Sequence, residues 1–143
     1  MTISEAKRRI DGCVAGFQAK SDEIVDGMTP EMAVMQREQL WSGETALGTP
    51  IMPSYTPFTV MMKQKKGQPY ERVTLRDTGA FYDGIFVKRQ GNELVFGSTD
   101  GKTGKLTEKY GEAIFGLKME AYGSLSEEWR DKMLAWIKQM IYN

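Results

Sequence analysis

Apolar and polar positions alternate along this chain in three distinct ways. Over residues 3 to 28, Ile3, Ile10, Val14, Phe17, Ile24 and Val25 recur near helical spacing with charged residues between them, which predicts a helix. Gly12, Gly16 and Gly27 weaken that helix, and Gly27 is a natural stop. Thr29-Pro30-Glu31 then reads as a fresh start, with Thr as N-cap, Pro at the first helical position and an acid in the first turn. The second helix carries Met32, Met35, Gln39 and Leu40 and ends near Gly43. Residues 44 to 70 lose periodicity and hold Pro50, Pro53, Pro57 and Pro69, which predicts an extended arm or long loop, mobile in the free subunit.

Beyond the arm the period shortens. Residues 72 to 75 and 81 to 98 read as strands, with Phe81, Ile85 and Val87 on one parity and Tyr82, Phe86 and Lys88 on the other. Gln90-Gly91-Asn92 is a turn signal, and Glu93 to Gly97 the return strand of a hairpin. A polar, glycine-rich stretch from Ser98 to Gly104 leads to a short helix over Leu106 to Tyr110. In the last segment Ser124 and Glu127 have capping-box spacing. Trp129, Met133, Trp136, Ile137, Met140 and Ile141 line one face of the helix that follows, expected to pack on the sheet. The fold class is therefore α+β: N-terminal helices, an extended Pro-rich arm, a small antiparallel sheet and a closing C-terminal helix, within a single domain of 143 residues.

Composition narrows the chemistry. Hydrophobic residues make up 41% and charged residues 27%, enough for a core. Lys+Arg and Asp+Glu are both 19, and zero net charge argues against general nucleic-acid affinity. The sequence has no histidine and one cysteine, Cys13. That removes the commonest general base, the His-assisted nucleophiles, an internal disulfide and nearly every zinc site. No metal and no cofactor is expected. There is no apolar run of the ~20 residues needed to span a bilayer and no secretory signal, so a reducing cytosol is the expected place of synthesis and no membrane partner is expected.

One motif carries potential chemistry. Asp77-Thr78-Gly79-Ala80 matches half of an aspartic-protease site, in which two such loops meet and two carboxylates share a proton. That family places apolar residues at both positions before the Asp. Here they are Leu75 and Arg76, and a guanidinium beside the dyad opposes the shared proton. The downstream apolar-apolar-Gly candidates, Val95-Phe96-Gly97 and Ile114-Phe115-Gly116, stand too close. As plain structure, Asp77-Thr78-Gly79 makes a turn. Gly101-Lys102-Thr103 resembles the end of a phosphate loop, but Phe96 occupies the position of its first glycine. Lys63, Lys65, Lys66, Arg72 and Arg76 form a basic run, read first as a solvated face and second as a contact surface.

Val73 to Ile85, the hairpin, and Lys109-Tyr110-Gly111-Glu112-Ala113-Ile114-Phe115-Gly116 together resemble the tail-completion, neck and virion-morphogenesis proteins of tailed phages and prophages. Arg37-Glu38-Gln39-Leu40 followed by Gly43, and the arm through Tyr55-Thr56, add to the likeness, which covers roughly residues 36 to 117. The resemblance implies a non-enzymatic subunit of a ring between capsid and tail, acting in particle assembly. Its partners would be further copies of itself and the portal, connector and tail proteins, with no sequence-specific nucleic acid beyond passive contact with the genome. The protein would be made in the bacterial host cytoplasm and end in the virion. Thr78-Gly79 would launch the first main strand, with Asp77 a turn residue, and Phe81, Tyr110, Gly111, Phe115 and Gly116 would complete the motif. Tyr55, Phe58, Lys63, Lys65 and Lys66 are the candidate subunit interface on one side, with Glu108 and Glu112 on the other. Leu117 to Ser124 departs from the family's Arg-Pro-Phe-like segment, leaving tail terminator, neck connector and assembly chaperone all open. A dimeric aspartic protease using Asp77, and a small DNA-binding or host-directed regulatory protein, are the alternatives.

Overall fold

A computed structural model describes residues 1–143. The fold is α+β: five α-helices and one two-stranded antiparallel sheet. In chain order these are α1 (Ile3–Trp41), α2 (Pro57–Lys65), α3 (Ala80–Asp83), β1 (Ile85–Gln90), β2 (Glu93–Ser98), α4 (Thr103–Tyr110), a short 3-10 turn (Glu112–Ile114) and α5 (Met119–Tyr142). The chain divides into two compact units. A helix-pair unit comprises residues 1–28 and 123–143, and a mixed unit comprises residues 29–122.

The first two expected helices are one. α1 runs through Gly27 and Pro30 without interruption. A proline inside a helix removes one backbone hydrogen bond and crowds the preceding turn, at about 3 kcal/mol. Met28, Met32 and Ala33 are all buried around it. Burying a methionine is worth about 1.5–3 kcal/mol, so two of them offset the break. The helix starts at a reciprocal cap absent from the sequence reading. Glu5 N–H donates to Thr2 Oγ1 (3.1 Å), and Thr2 N–H donates to Glu5 Oε2 (2.8 Å).

In the helix-pair unit, α5 packs on α1 and not on the sheet. Small residues set the approach: a Cβ built on Gly12 would lie 3.6 Å from Met140, and one on Gly16 would lie 3.3 Å from Trp136. Trp129 donates its indole N–H to Ser21 Oγ (2.9 Å) and meets Phe17 edge-on at 6.3 Å. Arg9 donates to the Ile141 carbonyl. Ser124 is not the cap of α5, which begins five residues earlier at Met119.

The mixed unit corrects the expectation for residues 44 to 70. They fold back on the unit instead of forming an extended arm. Thr45 N–H donates to the Thr49 carbonyl (2.8 Å), Ile51 N–H to the Gly43 carbonyl (2.9 Å) and Ala46 N–H to the Ala113 carbonyl (2.7 Å). Ile51 is buried. Thr56 then caps α2, accepting from Thr59 N–H, and Pro57 stands at its start, where a missing N–H costs nothing. Residues 72–75 are irregular, and Ala80–Asp83 is one helical turn, so Thr78-Gly79 launches α3 and only then the strand. The hairpin is as expected: Gln90 pairs with Glu93 across Gly91 at φ 61°, and Val87 pairs with Phe96. α4 begins at Thr103, one turn earlier than the sequence suggests.

Polar side chains on α1 hold the mixed unit together. Gln36 donates to the Ile114 carbonyl (3.2 Å) and accepts from Gly116 N–H (2.8 Å). One turn on, Gln39 donates to the Gly116 carbonyl (2.8 Å) and accepts from Lys118 N–H (2.9 Å). Two glutamines thus read the backbone of Ile114 to Lys118 as a neighbouring strand would. Arg37 donates to the Tyr82 and Ile85 carbonyls at 2.9 and 3.2 Å, tying α1 to the start of the hairpin.

Candidate functional site

A cleft in the mixed unit gathers most of the residues that the sequence singles out. α2 supplies Phe58, Thr59, Met62 and Lys63. The turn before α3 supplies Leu75 to Gly79, α3 supplies Phe81, and α4 supplies Leu106 and Tyr110. Tyr55, Lys66, Gln68, Asp100 and Lys102 complete the lining. The cavity measures about 280 Å³, just below the roughly 300–1,000 Å³ usual for small-molecule sites. Its walls are aliphatic and aromatic, and its rim carries cations.

Local geometry explains why these side chains converge. Gly79 adopts φ 94°, a left-handed conformation that suits glycine, and lets α3 start directly after the turn. Ala80 N–H donates to Thr78 Oγ1 (3.3 Å). Leu75 also sits at positive φ, 59°, where a side chain costs about 1–2 kcal/mol. That conformation turns the chain while keeping Leu75 buried against the cleft. Thr74 beside it is fully buried: its N–H donates to the Tyr55 hydroxyl (3.0 Å), and its carbonyl accepts from the Tyr82 hydroxyl (2.6 Å). Burial pushes the Tyr82 hydroxyl well above the ordinary tyrosine range.

The electrostatics separate the basic run into individual roles. Lys63 is not a solvated charge. It is 8% exposed, donates to the Arg76 carbonyl (3.0 Å) and lies 4.8 Å over the Tyr55 ring. Lys66 pairs with Asp77 at 2.9 Å, and Gln68 donates to the Asp77 carbonyl (2.9 Å). The hydrogen bond from Lys66 holds the Asp77 carboxyl below the usual aspartate range, against a smaller upward push from burial and with help from Gln68 and the Lys63 charge. Arg76 stacks over Trp41 and Tyr82 at 5.8 and 5.9 Å. Lys65 is exposed and lies outside the cleft.

The remaining predicted residues lie elsewhere in the unit. Phe115 packs on Phe81 with ring centroids 5.9 Å apart, behind the cleft. Gly111 and Gly116 have φ 91° and 103°, and Gly116 belongs to the glutamine clamp. Glu108 and Glu112 are exposed and do not line the cleft. The sequence reading placed Gln39 on the helix with Met32 and Leu40 but gave it no role, and it missed Gln36, whose signal was a second amide on that face. It also missed Gln68 and Asp100. Gln68 Oε1 and Asp100 Oδ2 are buried acceptors without a donor in the chain, an arrangement that costs about 1–3 kcal/mol each.

Two carboxylates, Asp77 and Asp100, line this cleft. The Asp77 carboxyl is held down by its lysine partner. No cluster of side chains has the composition of a metal site, and no helix is long and apolar enough to cross a membrane. Comparisons with protein-family models, with curated proteins and with solved structures return no match.

Proposed function

We propose that this chain is a non-enzymatic structural subunit of a tailed-phage particle, acting in the head–tail connector, neck or tail-completion region, and that the cleft of the mixed unit grips a neighbouring subunit. One observation carries the reading: the residues of the phage-like motif, Asp77, Thr78, Gly79, Phe81 and Tyr110, converge with Tyr55 and Phe58 on one apolar cleft. On this reading Asp77, which is ion-paired with Lys66, is a turn residue.

Three further features support docking. The cleft, at about 280 Å³, has room for one or two side chains of another protein. Leu75 is held in a costly backbone conformation beside it, as is common where a surface is shaped for contact. Gln68 Oε1 and Asp100 Oδ2, buried acceptors without a donor in the chain, belong to residues lining the same cleft. The partner on this reading is another copy in a ring, or an adjoining portal or tail protein.

The test is particle assembly in the phage that encodes the chain, with capsids and tails counted separately by electron microscopy. Phe58→Glu and Lys102→Glu change exposed positions at the cleft and leave the buried scaffold untouched. The expected result is an accumulation of unjoined capsids and tails. Joined, infectious particles at normal yield in both variants would overturn the proposal. Removing residues 46–66 is a poorer test, because it takes away buried Ile51 and Lys63 as well as surface.

A further inference from the structure

The cleft of the mixed unit carries more positive charge than its own carboxylates balance. We infer that the group it receives is an anion on an apolar body: a carboxylate beside an aromatic or aliphatic side chain of the neighbouring subunit. The inference rests on the docking reading above and adds the chemistry of the incoming segment.

The first observation is Lys63. It belongs to α2 and lines the cleft, yet it is 8% exposed. Lysine is almost never buried unless paired, because an ammonium leaves water at a high cost that an anion must offset. An ammonium has three N–H donors. Lys63 spends one on the Arg76 carbonyl (3.0 Å), and its charge rests 4.8 Å over the Tyr55 ring. Neither partner is an anion. The Asp77 carboxylate pairs with Lys66 instead, at 2.9 Å.

The other cations of the cleft are no better matched. The Arg76 guanidinium stacks on the Trp41 and Tyr82 rings, and no carboxylate of the chain pairs with it. Lys102 is exposed and stands at the start of α4, whose first turn carries no acid and whose N-cap makes no side-chain hydrogen bond. A helix N-terminus is the positive end of the dipole, so a lysine there adds to a field that favours an anion. Asp77 and Asp100 are the carboxylates that line the cleft. With Asp77 taken by Lys66, Asp100 is the one remaining counter-charge to Lys63, Arg76 and Lys102.

The walls determine the rest of the ligand. Phe58, Met62, Leu75, Phe81, Leu106 and Tyr110 line the same cavity. A bare anion such as inorganic phosphate would gain nothing from these walls. An apolar group without charge would leave the cations uncompensated as it drove water out. A carboxylate on an apolar body satisfies both halves.

The test uses the purified full chain and three probes that share one body: phenylpropionate, its primary amide and phenylpropylamine, near pH 7. Ligands this small bind at about millimolar affinity, which chemical-shift titration reads. Phenylpropionate should saturate the backbone signals of Leu75 to Gly79 and bind about ten-fold tighter than the amide, with the amine weaker still. Lys63→Met and Lys102→Met should each weaken the carboxylate by about five-fold or more and leave the amide unchanged. Lys65→Met, exposed and outside the cleft, should change neither. Near-UV circular dichroism shows whether Lys63→Met keeps the fold, and Lys102→Met, at an exposed position, carries the test if it does not. An amide or amine that binds as tightly as the carboxylate, or a carboxylate that fails to saturate those signals by about 20 mM, would overturn the inference. Normal particle assembly in Phe58→Glu beside an intact carboxylate preference would strike the neighbouring subunit as the source and leave the anion preference standing.

Discussion

One helix serves two regions that are held together by different physics. Before Thr29, α1 meets α5 through glycines, aromatic rings and aliphatic side chains, with few hydrogen bonds. After Thr29, it holds the mixed unit through Gln36, Arg37 and Gln39, each bonded to backbone groups far away in sequence. Apolar packing tolerates sliding and repacking, because dispersion has little directional preference. An amide that both donates and accepts fixes register, because displacement leaves a buried N–H and a buried carbonyl unpaired. The polar contacts therefore fix the register of Ile114 to Lys118 against α1, and the apolar contacts leave α1 and α5 freer to repack.

The sharpest way to break that contrast is to remove the first glutamine. Gln36 is fully buried and satisfies Ile114 and Gly116 together. Gln36→Leu keeps the volume but orphans both groups and should cost about 2–5 kcal/mol. Urea denaturation monitored by near-UV circular dichroism reads the loss. A change below about 0.5 kcal/mol would show that apolar packing alone holds Ile114 to Lys118, and the contrast would fall.

Two glycine substitutions sharpen the contrast at smaller scale, with opposite signs. In the sheet, a Cβ on Gly97 would come 2.7 Å from Phe86 Cζ, so Gly97→Ala must displace the ring. The expected loss is about 1–3 kcal/mol, typical of overpacking. In the helix pair, a Cβ on Gly12 meets only Met140 at an ordinary 3.6 Å. Gly12→Ala should stabilise by about 0.5–1 kcal/mol, through helix propensity and a less flexible unfolded chain. Thermal melts of the two variants beside the wild type check both signs.

The two regions also differ in what the sequence disclosed. The helix pair was legible in its stripes, since Trp129, Met133 and Trp136 on one helix and Phe17 and Ile24 on the other follow the helical period. Its partner was not, because the period says which face is buried and never against what. α1 was read as two helices because Gly27 and Pro30 are local breakers, whereas burial of Met28 and Met32 acts at long range. In the mixed unit, proline density hid α2 although Thr56-Pro57 has the form of a helix start. Asp77, Thr78 and Gly79 were visible as a turn. That they face Tyr55, Phe58 and Tyr110 depends on α2 and α4 closing over that turn, and no spacing encodes it.

The smallest predicted effect tests whether the cleft contains any chemistry. Asp77 and Lys66 are both about half exposed, so solvent screens their pairing, and such pairs contribute about 0.2–1 kcal/mol. Asp77→Asn should lower stability at pH 7 by no more than about 0.5 kcal/mol, since the amide oxygen can still accept from Lys66. The folded-state pKa of Asp77 is depressed below its ordinary 3.8, so the ionised form is favoured by folding. Its contribution is complete above that ordinary value and disappears as pH falls through the lower folded value. Wild type and Asp77→Asn should therefore differ slightly at neutral pH and converge as the pH falls below the ordinary aspartate value and through the lower folded one. A carboxyl serving as half of a proton-sharing pair behaves oppositely. It favours the protonated form, and its replacement would alter stability most where one proton is shared, near pH 4 to 6. Incubating the wild type with a peptide library at pH 4 to 6 is the companion measurement. Cleavage that disappears in Asp77→Asn would make the cleft an active site, whereas unchanged peptides with converging stabilities leave Asp77 as the ion-paired turn from which α3 and the hairpin begin.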